Sequence, residues 1–511
     1  MKKRVVFVLA LALCACATVL ASGSRQGATP ANSPLTISIY YSDNSTLPFR
    51  DDWLVVKTLE ERYNVKLNWE IIPMNEYATK VSLALNSGNT PDVILYQTTG
   101  GENGSLALNG ALVPISDYSQ WTPEWNARVA EYGMKADVDR LRLKDGKLYF
   151  LPSLTDKPFY DGGLLFRQDV IEKYGIQPDT WDNVYQLCKA YKADNPNSYP
   201  FNVYNSLRVH YRMTMPSWGV SVGINGTAGR VLGWDYAKNE FFAGATSSQY
   251  RDYMRFWHKM YEEGLFDPEY AAVIQDSTWY RKLSTGSAIA SLGWYDQIGG
   301  IEGPSEIPGL KFNLYPPPVG PAGAYGEPKN RTGSGIMFPI AVSKRADFER
   351  IVRTVDQMFF SEDAAKLWCL GVEGVTYNMV NGEVRFIDSI RNSPDGIYKS
   401  MQINYGCGAG PTQMIWINAR EMTKYDANYA AVNAKVASMG AIQTRPPEPK
   451  FDDITAEEVT QLMGVLWDAQ TVWDDAFLSG TKSLETDWDA YVAELRQKGL
   501  DRYLELYNRF K

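Results

Sequence analysis

Apolar residues along the first hundred positions alternate between strand spacing and helix spacing. Residues 35–41 are rich in apolar and β-branched side chains, and residues 65–71 place an apolar side chain at every second position, as strands do. Between them, residues 53–63 have the apolar spacing of a helix, as do residues 77–85. The short apolar strand at 92–96 follows. The order β-α-β-α-β predicts a parallel sheet with helices on its faces, and the expected fold class is α/β.

The alternation of strands and helices continues along the chain. Further strands are expected in short apolar stretches at residues 163–166, 287–293, 312–318 and 335–342. Thr180 is a good N-cap for a helix, and the large side chains from Tyr250 to Tyr261 have the spacing of a buried helix face. The last block is predicted to be helical, with Thr455 and Glu458 as a capping box. A second α/β block is therefore expected.

Aromatic and polar side chains lie where several predicted strands end. In open α/β sheets, ligands bind beyond the carboxyl ends of the strands. The residues at these ends are Tyr41 and Asp43, Tyr96 and Gln97, and Trp294 and Tyr295. The sequence therefore predicts a ligand site rich in rings at the strand ends.

Composition excludes several classes of function. The chain has 51 Lys and Arg against 59 Asp and Glu, a net charge of −8, so it lacks the basic footprint of a nucleic-acid-binding protein. Its two histidines, His210 and His258, argue against chemistry built on several histidines, and no cofactor is expected. No Gly-x-Ser-x-Gly, P-loop or His-Glu-x-x-His motif occurs. Aromatic residues are plentiful, with 15 Trp, 32 Tyr and 19 Phe, and such rings can stack on sugars.

The N-terminal residues predict export. Positive residues at 2–4 precede an apolar run at 5–13 and then small residues, which is the pattern of a secretory signal peptide over residues 1–15. Residues 13–16, Leu-Cys-Ala-Cys, resemble a bacterial lipobox, in which Cys16 would carry the lipid. Cleavage after Ala21 and an uncleaved anchor are the alternatives.

The residues that follow this leader are small and polar. Residues 16–34 are expected to form a flexible tether. Beyond them the chain has three cysteines, Cys188, Cys369 and Cys407, an odd number that gives no disulfide framework. We expect buried thiols at these positions.

Several short motifs then occur in a characteristic order. They are NTPDVI at 89–94, NGALVPISD at 109–117, DGKLYFLP at 145–152, LFRQDVIEKYGIQPDTWD at 165–182, YEEGLFDPE at 261–269, GVEGVTY at 371–377 and GLDRYLELYN at 499–508. With them the chain resembles the bacterial extracellular solute-binding proteins of the family 1 type. Among these it is similar to the long lipoproteins that feed ABC importers with oligosaccharides.

The resemblance implies the two-lobe fold of class II periplasmic binding proteins. Each lobe would be a mainly parallel sheet flanked by helices, with a cleft between the lobes. The expected N-terminal lobe comprises residues 35–152 and 334–388, and the C-terminal lobe comprises residues 153–333 and 389–511. The crossovers would fall near residues 151–152 and 332–335, which are rich in Gly, Pro or Ser.

The resemblance also implies a function. The chain would be a monomeric, membrane-tethered component of an ABC importer in the bacterial cell envelope. It would capture an oligosaccharide, expected to be neutral, in an aromatic-lined cleft and deliver it to the permease, without being an enzyme. A peptide-binding importer subunit, a secreted glycoside-active enzyme and a structural envelope lipoprotein are the alternatives.

The expected ligand contacts combine rings with hydrogen-bonding groups. Rings offer an apolar face to sugar C–H groups, while carboxylates, amides and guanidinium groups exchange hydrogen bonds with hydroxyls. The predicted contacts are Tyr41, Asp43, Tyr96, Gln97, Phe166, Arg167, Trp218, Trp294, Tyr295, Glu373, Tyr377 and Trp416.

One feature of some long family members is missing. They carry a calcium loop after the first helix of the second lobe, where this chain has residues 194–200, DNPNSYP. This stretch has no Gly for the sharp turn and no downstream acid, so no metal is expected there.

Overall fold

The computed structural model describes residues 33–43, 48–99, 102–204, 206–220, 228–270, 276–393, 397–407 and 427–511. Residues 35–511 form one compact unit. The predicted leader and Cys16 lie outside the described residues.

The strands of the described residues fall into two main sheets and two small hairpins. They are β1 (Leu35–Asp43), β2 (Val65–Pro73), β3 (Val93–Gln97), β4 (Phe150–Leu154), β5 (Gly162–Arg167), β6 (Phe201–Asn202), β7 (Gly233–Asp235), β8 (Glu240–Phe242), β9 (Ala290–Trp294), β10 (Phe312–Tyr315), β11 (Thr332–Met337), β12 (Tyr377–Val380) and β13 (Glu383–Phe386).

Helices connect and cover these strands. They are α1 (Leu54–Tyr63), α2 (Met74–Ser87), α3 (Glu102–Leu108), α4 (Pro123–Glu131), α5 (Lys135–Asp139), α6 (Gln168–Tyr174), α7 (Trp181–Asp194), α8 (Ser206–Thr214), α9 (Ala228–Val231), α10 (Ser248–Glu262), α11 (Asp276–Ser284), α12 (Ile298–Glu302), α13 (Phe348–Phe360), α14 (Glu362–Leu370), α15 (Asp388–Arg391), α16 (Ile397–Tyr405), α17 (Ala427–Met439), α18 (Asp453–Ser479), α19 (Trp488–Gln497) and α20 (Leu500–Phe510).

The first sheet has the strand order β2-β1-β3-β11-β4. β1 runs parallel to β2 and β3, while β11 runs antiparallel to β3 and β4. The carboxyl ends of β1, β2, β3 and β4 therefore share one edge with the start of β11. Gly335 on β11 allows this close packing, because a Cβ there would lie 2.1 Å from the carbonyl oxygen of Leu151.

The second sheet has the strand order β10-β5-β9-β6 and is mixed rather than mainly parallel. β6 is parallel to β9, but β5 is antiparallel to both β9 and β10. The start of β5 consequently lies at the same edge as the carboxyl ends of β9 and β10. The overall prediction of an α/β fold with sheets flanked by helices is confirmed.

Two connecting segments join these edges of the two sheets. Residues 155–161 link β4 to β5, and residues 316–331 link β10 to β11. The segments are hydrogen-bonded to each other, since Thr155 N donates to the carbonyl of Arg331 at 2.9 Å. Residues 441–445 run alongside the second segment, where Lys329 N donates to the carbonyl of Gln443 at 2.9 Å. The ring-bearing strand ends of both sheets therefore adjoin the same connectors.

Separate hydrophobic cores lie around the two sheets. One contains buried side chains from residues 35–154 and 336–407, and the others contain side chains from residues 160–314 and 429–507. Ile390 and Met401 pack in the first core, beyond the predicted lobe boundary at residue 388. The exact boundaries stay a prediction.

Candidate functional site

Four aromatic rings meet at the carboxyl edge of the first sheet. Tyr41 on β1 lies 4.8 Å from Phe49, 5.9 Å from Trp69 on β2 and 5.8 Å from Tyr96 on β3, measured between ring centroids. We call these four residues the first ring cluster. Tyr41 is buried beneath the other three, which are each partly exposed. The parallel pairing of β1 with its two neighbours brings these rings together.

Tyr96 has an unusual backbone conformation in this cluster. Its φ of 58° lies in the left-handed region that residues other than glycine rarely adopt. Its hydroxyl is buried, and burial, together with the nearby Tyr41, raises its pKa well above the ordinary value for tyrosine. The phenol therefore stays protonated and keeps a hydrogen to donate.

The polar residues predicted at this edge lie beside the rings. The carboxylate of Asp43 accepts a hydrogen bond from Phe49 N at 2.9 Å, which fixes the backbone around that ring. Oε1 of Gln97 accepts from Nδ2 of Asn103 at 2.9 Å. Both side chains are partly exposed. The structure thus brings together Tyr41, Asp43, Tyr96 and Gln97, as the sequence predicts.

Trp294 occupies the corresponding edge of the second sheet. It ends β9 and pairs in register with Gly162, the first residue of β5. A Cβ at Gly162 would lie 3.0 Å from Nε1 of Trp294, so the indole rests against β5 only because this residue is glycine. The ring of Tyr204 approaches the indole edge-on, with a centroid distance of 5.8 Å. Trp294 is partly exposed.

Charged side chains surround this indole. The guanidinium carbon of Arg212, on α8, lies 5.4 Å from the ring centroid of Trp294. Nε of Arg212 is 3.0 Å from one carboxylate oxygen of Glu327, and a terminal nitrogen of Arg445 is 3.2 Å from the other. We call Arg212, Glu327 and Arg445 the charge triad. It anchors the guanidinium over Trp294 to a connecting segment.

Tyr295 lies next to the ion pair between Lys329 and Asp161. Its backbone N–H donates to the carbonyl of Asp161 at 2.7 Å, and its ring is 4.9 Å from that of Tyr429. Nζ of Lys329 donates to the Asp161 carboxylate at 2.5 Å. Tyr295 is therefore held where residues 155–161 enter the second sheet.

Phe166 and Arg167 lie at the end of β5 that is far from Trp294, so they are not part of the candidate site. Because β5 runs antiparallel to β9, its last residues lie far along the strand from Trp294. Phe166 is fully buried. Arg167 is also buried, with its guanidinium donating to both carboxylate oxygens of Asp169 at 3.0 and 2.6 Å. Arg167 therefore forms a local ion pair with the half-exposed Asp169.

Trp218 is not part of the candidate site either, because its side chain belongs to the hydrophobic core. Only 3% of it is exposed. Its ring lies 5.6 Å from Trp181, 5.2 Å from Tyr253 and 5.4 Å from Phe256. It fills space between helices rather than facing a cleft.

Glu373 and Tyr377 lie away from the first ring cluster. Glu373 is exposed on the turn before β12, and Tyr377 is mostly buried. The electrostatic neighbours of Tyr377 include Arg62, in the last turn of α1. Because α1 runs back from the carboxyl edge of β1, this position is at the other edge of the sheet. Trp416 lies outside the described residues.

Sequence reasoning missed several members of these clusters. Trp69 has strand spacing, but nothing in the sequence shows that it ends beside Tyr41. Phe49 and Glu327 lie in irregular segments with no periodic signal. Arg212 lies on α8, a helix that the sequence analysis does not predict, and no local pattern indicates its contact with Trp294.

The loop that corresponds to the expected calcium position does not fit a metal. The Asp194 carboxylate already accepts hydrogen bonds from Nζ of Lys173 at 2.6 Å and the hydroxyl of Tyr174 at 2.8 Å. Nζ of Lys192 donates to the Ser198 carbonyl at 2.6 Å. Ammonium groups thus take up the oxygen atoms that a cation would need. Within the described ranges, no group of three or more His, Cys, Asp or Glu side chains could hold a metal ion.

The site favours binding over covalent chemistry. Its exposed parts are ring faces, a guanidinium group and hydrogen-bonding side chains, which suit a ligand with apolar faces and many hydroxyls. The helices of the described part of the chain include none that is both long and apolar enough to span a bilayer.

Comparisons with known proteins identify the family and the fold of the chain. The chain is 23% identical over 328 residues to the polygalacturonan/rhamnogalacturonan-binding protein YtcQ of Bacillus subtilis, a match that spans 63% of each chain. It is 21% identical to lipoprotein LipO of the same organism, over 87% of this chain and 83% of LipO. The crystal structure of the alginate-binding protein AlgQ2 without calcium ion superposes with a TM-score of 0.73 at 20% identity, covering 94% of this chain and 98% of that one. The model of the family "Bacterial extracellular solute-binding protein" matches residues 55–361, and the chain belongs to this family.

Proposed function

We propose that this chain is the solute-binding component of an ABC importer and that it captures a neutral oligosaccharide between the edges of its two sheets. The observation that carries the proposal is the presence of partly exposed rings at both edges, where the same two connecting segments join them. The first ring cluster would contact one part of the sugar, and Trp294 with Tyr295 another. Asp43, Gln97 and Arg212 would exchange hydrogen bonds with its hydroxyls.

The charges at the site support a neutral sugar. The three cations of the charge triad and its neighbouring pair already contact carboxylates: Arg212 and Arg445 share Glu327, and Lys329 contacts Asp161. A sugar carboxylate would have to compete with these internal partners. An acidic oligosaccharide is the second candidate, because the names of YtcQ and AlgQ2 record acidic polysaccharides as their ligands.

The connecting segments support a mechanism of closure. Few covalent links join the sheets, so rotation at residues 155–161 and 316–331 can bring the two edges together. The ligand favours the closed state only if it contacts both edges at once. The closed monomer would then be presented to the permease, with lobes divided near residues 152 and 333 and beyond residue 401, since Met401 packs in the first core.

Membrane attachment is part of the same proposal. A lipid on Cys16 and a tether over residues 16–34 would keep the protein at the outer face of the cell membrane. The similarity to a protein named as a lipoprotein supports this attachment. Mass spectrometry of the mature protein tests it: a diacylglyceryl adduct on Cys16 is expected, whereas an unmodified N-terminus at Ser22 would contradict it.

Thermal unfolding against a panel of ligands tests the binding proposal. A ligand that binds only the folded state stabilises it by about 2.7 kcal/mol at 100 times its dissociation constant, which raises the unfolding temperature by a few degrees. We expect such a rise with one class of neutral oligosaccharides and none with peptides. A rise with peptides alone would establish the peptide-binding alternative, and released sugar products would establish an enzyme.

A further inference from the structure

Glu327 has an unusual position for a carboxylate. Its side chain is only 6% exposed, although it lies beside a site that is open enough to leave Arg212 34% exposed and Arg445 26% exposed. Its backbone is fixed on both sides, since Gly326 N donates to the carbonyl of Ala441 at 3.0 Å and the Pro328 carbonyl accepts from Nε of Arg445 at 3.0 Å. The buried carboxylate of Glu327 is therefore held in a fixed position next to the partly exposed guanidinium of Arg212.

Arg212 is the most exposed member of the charge triad. Its Nε lies 3.0 Å from a carboxylate oxygen of Glu327, its guanidinium carbon lies 5.4 Å from the ring centroid of Trp294, and about a third of its side chain is exposed. A guanidinium group that is held this way on a ring platform presents its remaining N–H groups in a fixed fork. Whether these N–H groups prefer a hydroxyl oxygen or a carboxylate depends on how much of the guanidinium charge a neighbouring carboxylate offsets.

We propose that Glu327 sets the charge preference of the ligand site by offsetting part of the charge of Arg212, so that removing this carboxylate shifts the preference of the guanidinium over Trp294 from hydroxyl oxygens towards carboxylates. This inference rests on the proposed function, because it assigns a selectivity mechanism to the same sugar site. Glu327 acts as a positioning residue, through Arg212 rather than through contact with the sugar.

The chain offers a matched control for the charge. Asp161 forms the neighbouring pair with Lys329, and the two side chains are 22% and 23% exposed. Asp161→Asn and Glu327→Gln each remove one negative charge from the same edge. Only Glu327→Gln leaves Arg212, on the Trp294 platform, without its counter-charge.

The test measures binding of one oligosaccharide in two forms by titration calorimetry. The probes are the neutral oligosaccharide that stabilises the wild-type protein most and the same molecule with its primary hydroxyls oxidised to carboxylates. The wild type is expected to prefer the neutral form. Glu327→Gln is expected to shift the ratio of the two dissociation constants towards the carboxylate by about tenfold, and Asp161→Asn is expected to shift the ratio less, because Lys329 is not the cation over Trp294.

Two further variants keep the test decisive if Glu327→Gln folds poorly. Arg212→Gln should weaken binding of the neutral form by about tenfold, and Arg212→Gln combined with Glu327→Gln should show the ratio of Arg212→Gln alone. An unchanged ratio in Glu327→Gln, an equal shift in Asp161→Asn, or full affinity in Arg212→Gln would overturn the inference while leaving sugar binding intact. A wild type that binds neither form would instead overturn the proposed function itself.

Discussion

The carboxylate of Asp356 holds the start of the helix that contains Trp125. It accepts hydrogen bonds from the backbone N–H of Glu124 at 2.8 Å and of Trp125 at 2.9 Å, although Asp356 lies on α13 and the two donors on α4. Nε1 of Trp125 in turn donates to the carbonyl of Pro152 at 3.0 Å. This chain of contacts anchors β4, the strand that leads into residues 155–161.

Loss of this carboxylate should destabilise the protein. Asp356→Ala leaves the first N–H groups of α4 buried without an acceptor, and we expect it to lower the free energy of unfolding by about 2 kcal/mol. Asp356→Asn keeps one acceptor oxygen and should lose about half as much. Urea unfolding at pH 8 measures both, above the pKa of about 7 to which burial raises Asp356. Equal stability of Asp356→Ala and the wild type would contradict this role.

Stability in acid should depend on His210. Its imidazole is fully buried, with ring centroids 4.1 Å from Trp257 and 5.3 Å from Phe266, and burial lowers its pKa to about 3. The unfolded chain takes up this proton near pH 6.5, so the contribution is complete above that pH and is lost as the pH falls towards 3, by about 1.4 kcal/mol per pH unit. His210→Leu should remove this part of the slope. Urea unfolding from pH 7 to pH 4 checks it, and identical slopes in the two proteins would refute it.

The close approach of Gly162 to Trp294 predicts a binding defect. In Gly162→Ala, the new Cβ would lie 2.8 Å from the terminal methyl of Met213 and 3.0 Å from Nε1 of Trp294, so the indole must move. We expect sugar affinity to fall about tenfold, which corresponds to roughly 1.4 kcal/mol. Gly464→Ala, on α18, is the control, because no atom lies within 4 Å of its added Cβ. Titration calorimetry that finds equal affinity in both variants would disprove the role of Gly162.

The loop at residues 194–200 should be independent of calcium. Lys192→Met removes the ammonium group that donates to the Ser198 carbonyl and should lower the free energy of unfolding by about 1.5 kcal/mol. A chelator should leave the unfolding temperature of the wild type unchanged. Lys189→Met is the control, since Lys189 is mostly exposed on the same helix and forms a surface ion pair with Glu263. A fall in the wild-type unfolding temperature on chelation, absent in Lys192→Met, would contradict this expectation.

Local signals in the sequence predicted local structure well. Thr180 does cap α7, accepting from Asn183 N at 3.0 Å, and Tyr250, Tyr253 and Trp257 are buried on one face of α10. The predicted capping box at Thr455 was wrong by one turn. Asp452 caps α18 instead, accepting from Thr455 N at 2.8 Å, because two adjacent sets of capping residues compete at that end.

Strand direction explains which site residues could not be predicted. The family resemblance implied that Arg167 contacts the ligand, but apolar spacing does not give the direction of a strand, and Arg167 lies at the other end of β5 from Trp294. The parallel strands of the first sheet caused no such error, and Tyr41 and Tyr96 meet as predicted. Glu327 joins the site through contacts distant in sequence, which no local pattern encodes.

The central claim is that one sugar contacts the edges of both sheets at once. Titration calorimetry of Trp69→Ala and Trp294→Ala tests it most directly, with the oligosaccharide that stabilises the wild-type protein most. Each variant removes a partly exposed ring from one edge, and we expect each to weaken binding by about tenfold or more. Wild-type affinity in either variant would show that the ligand does not bridge the two sheets and would contradict the account.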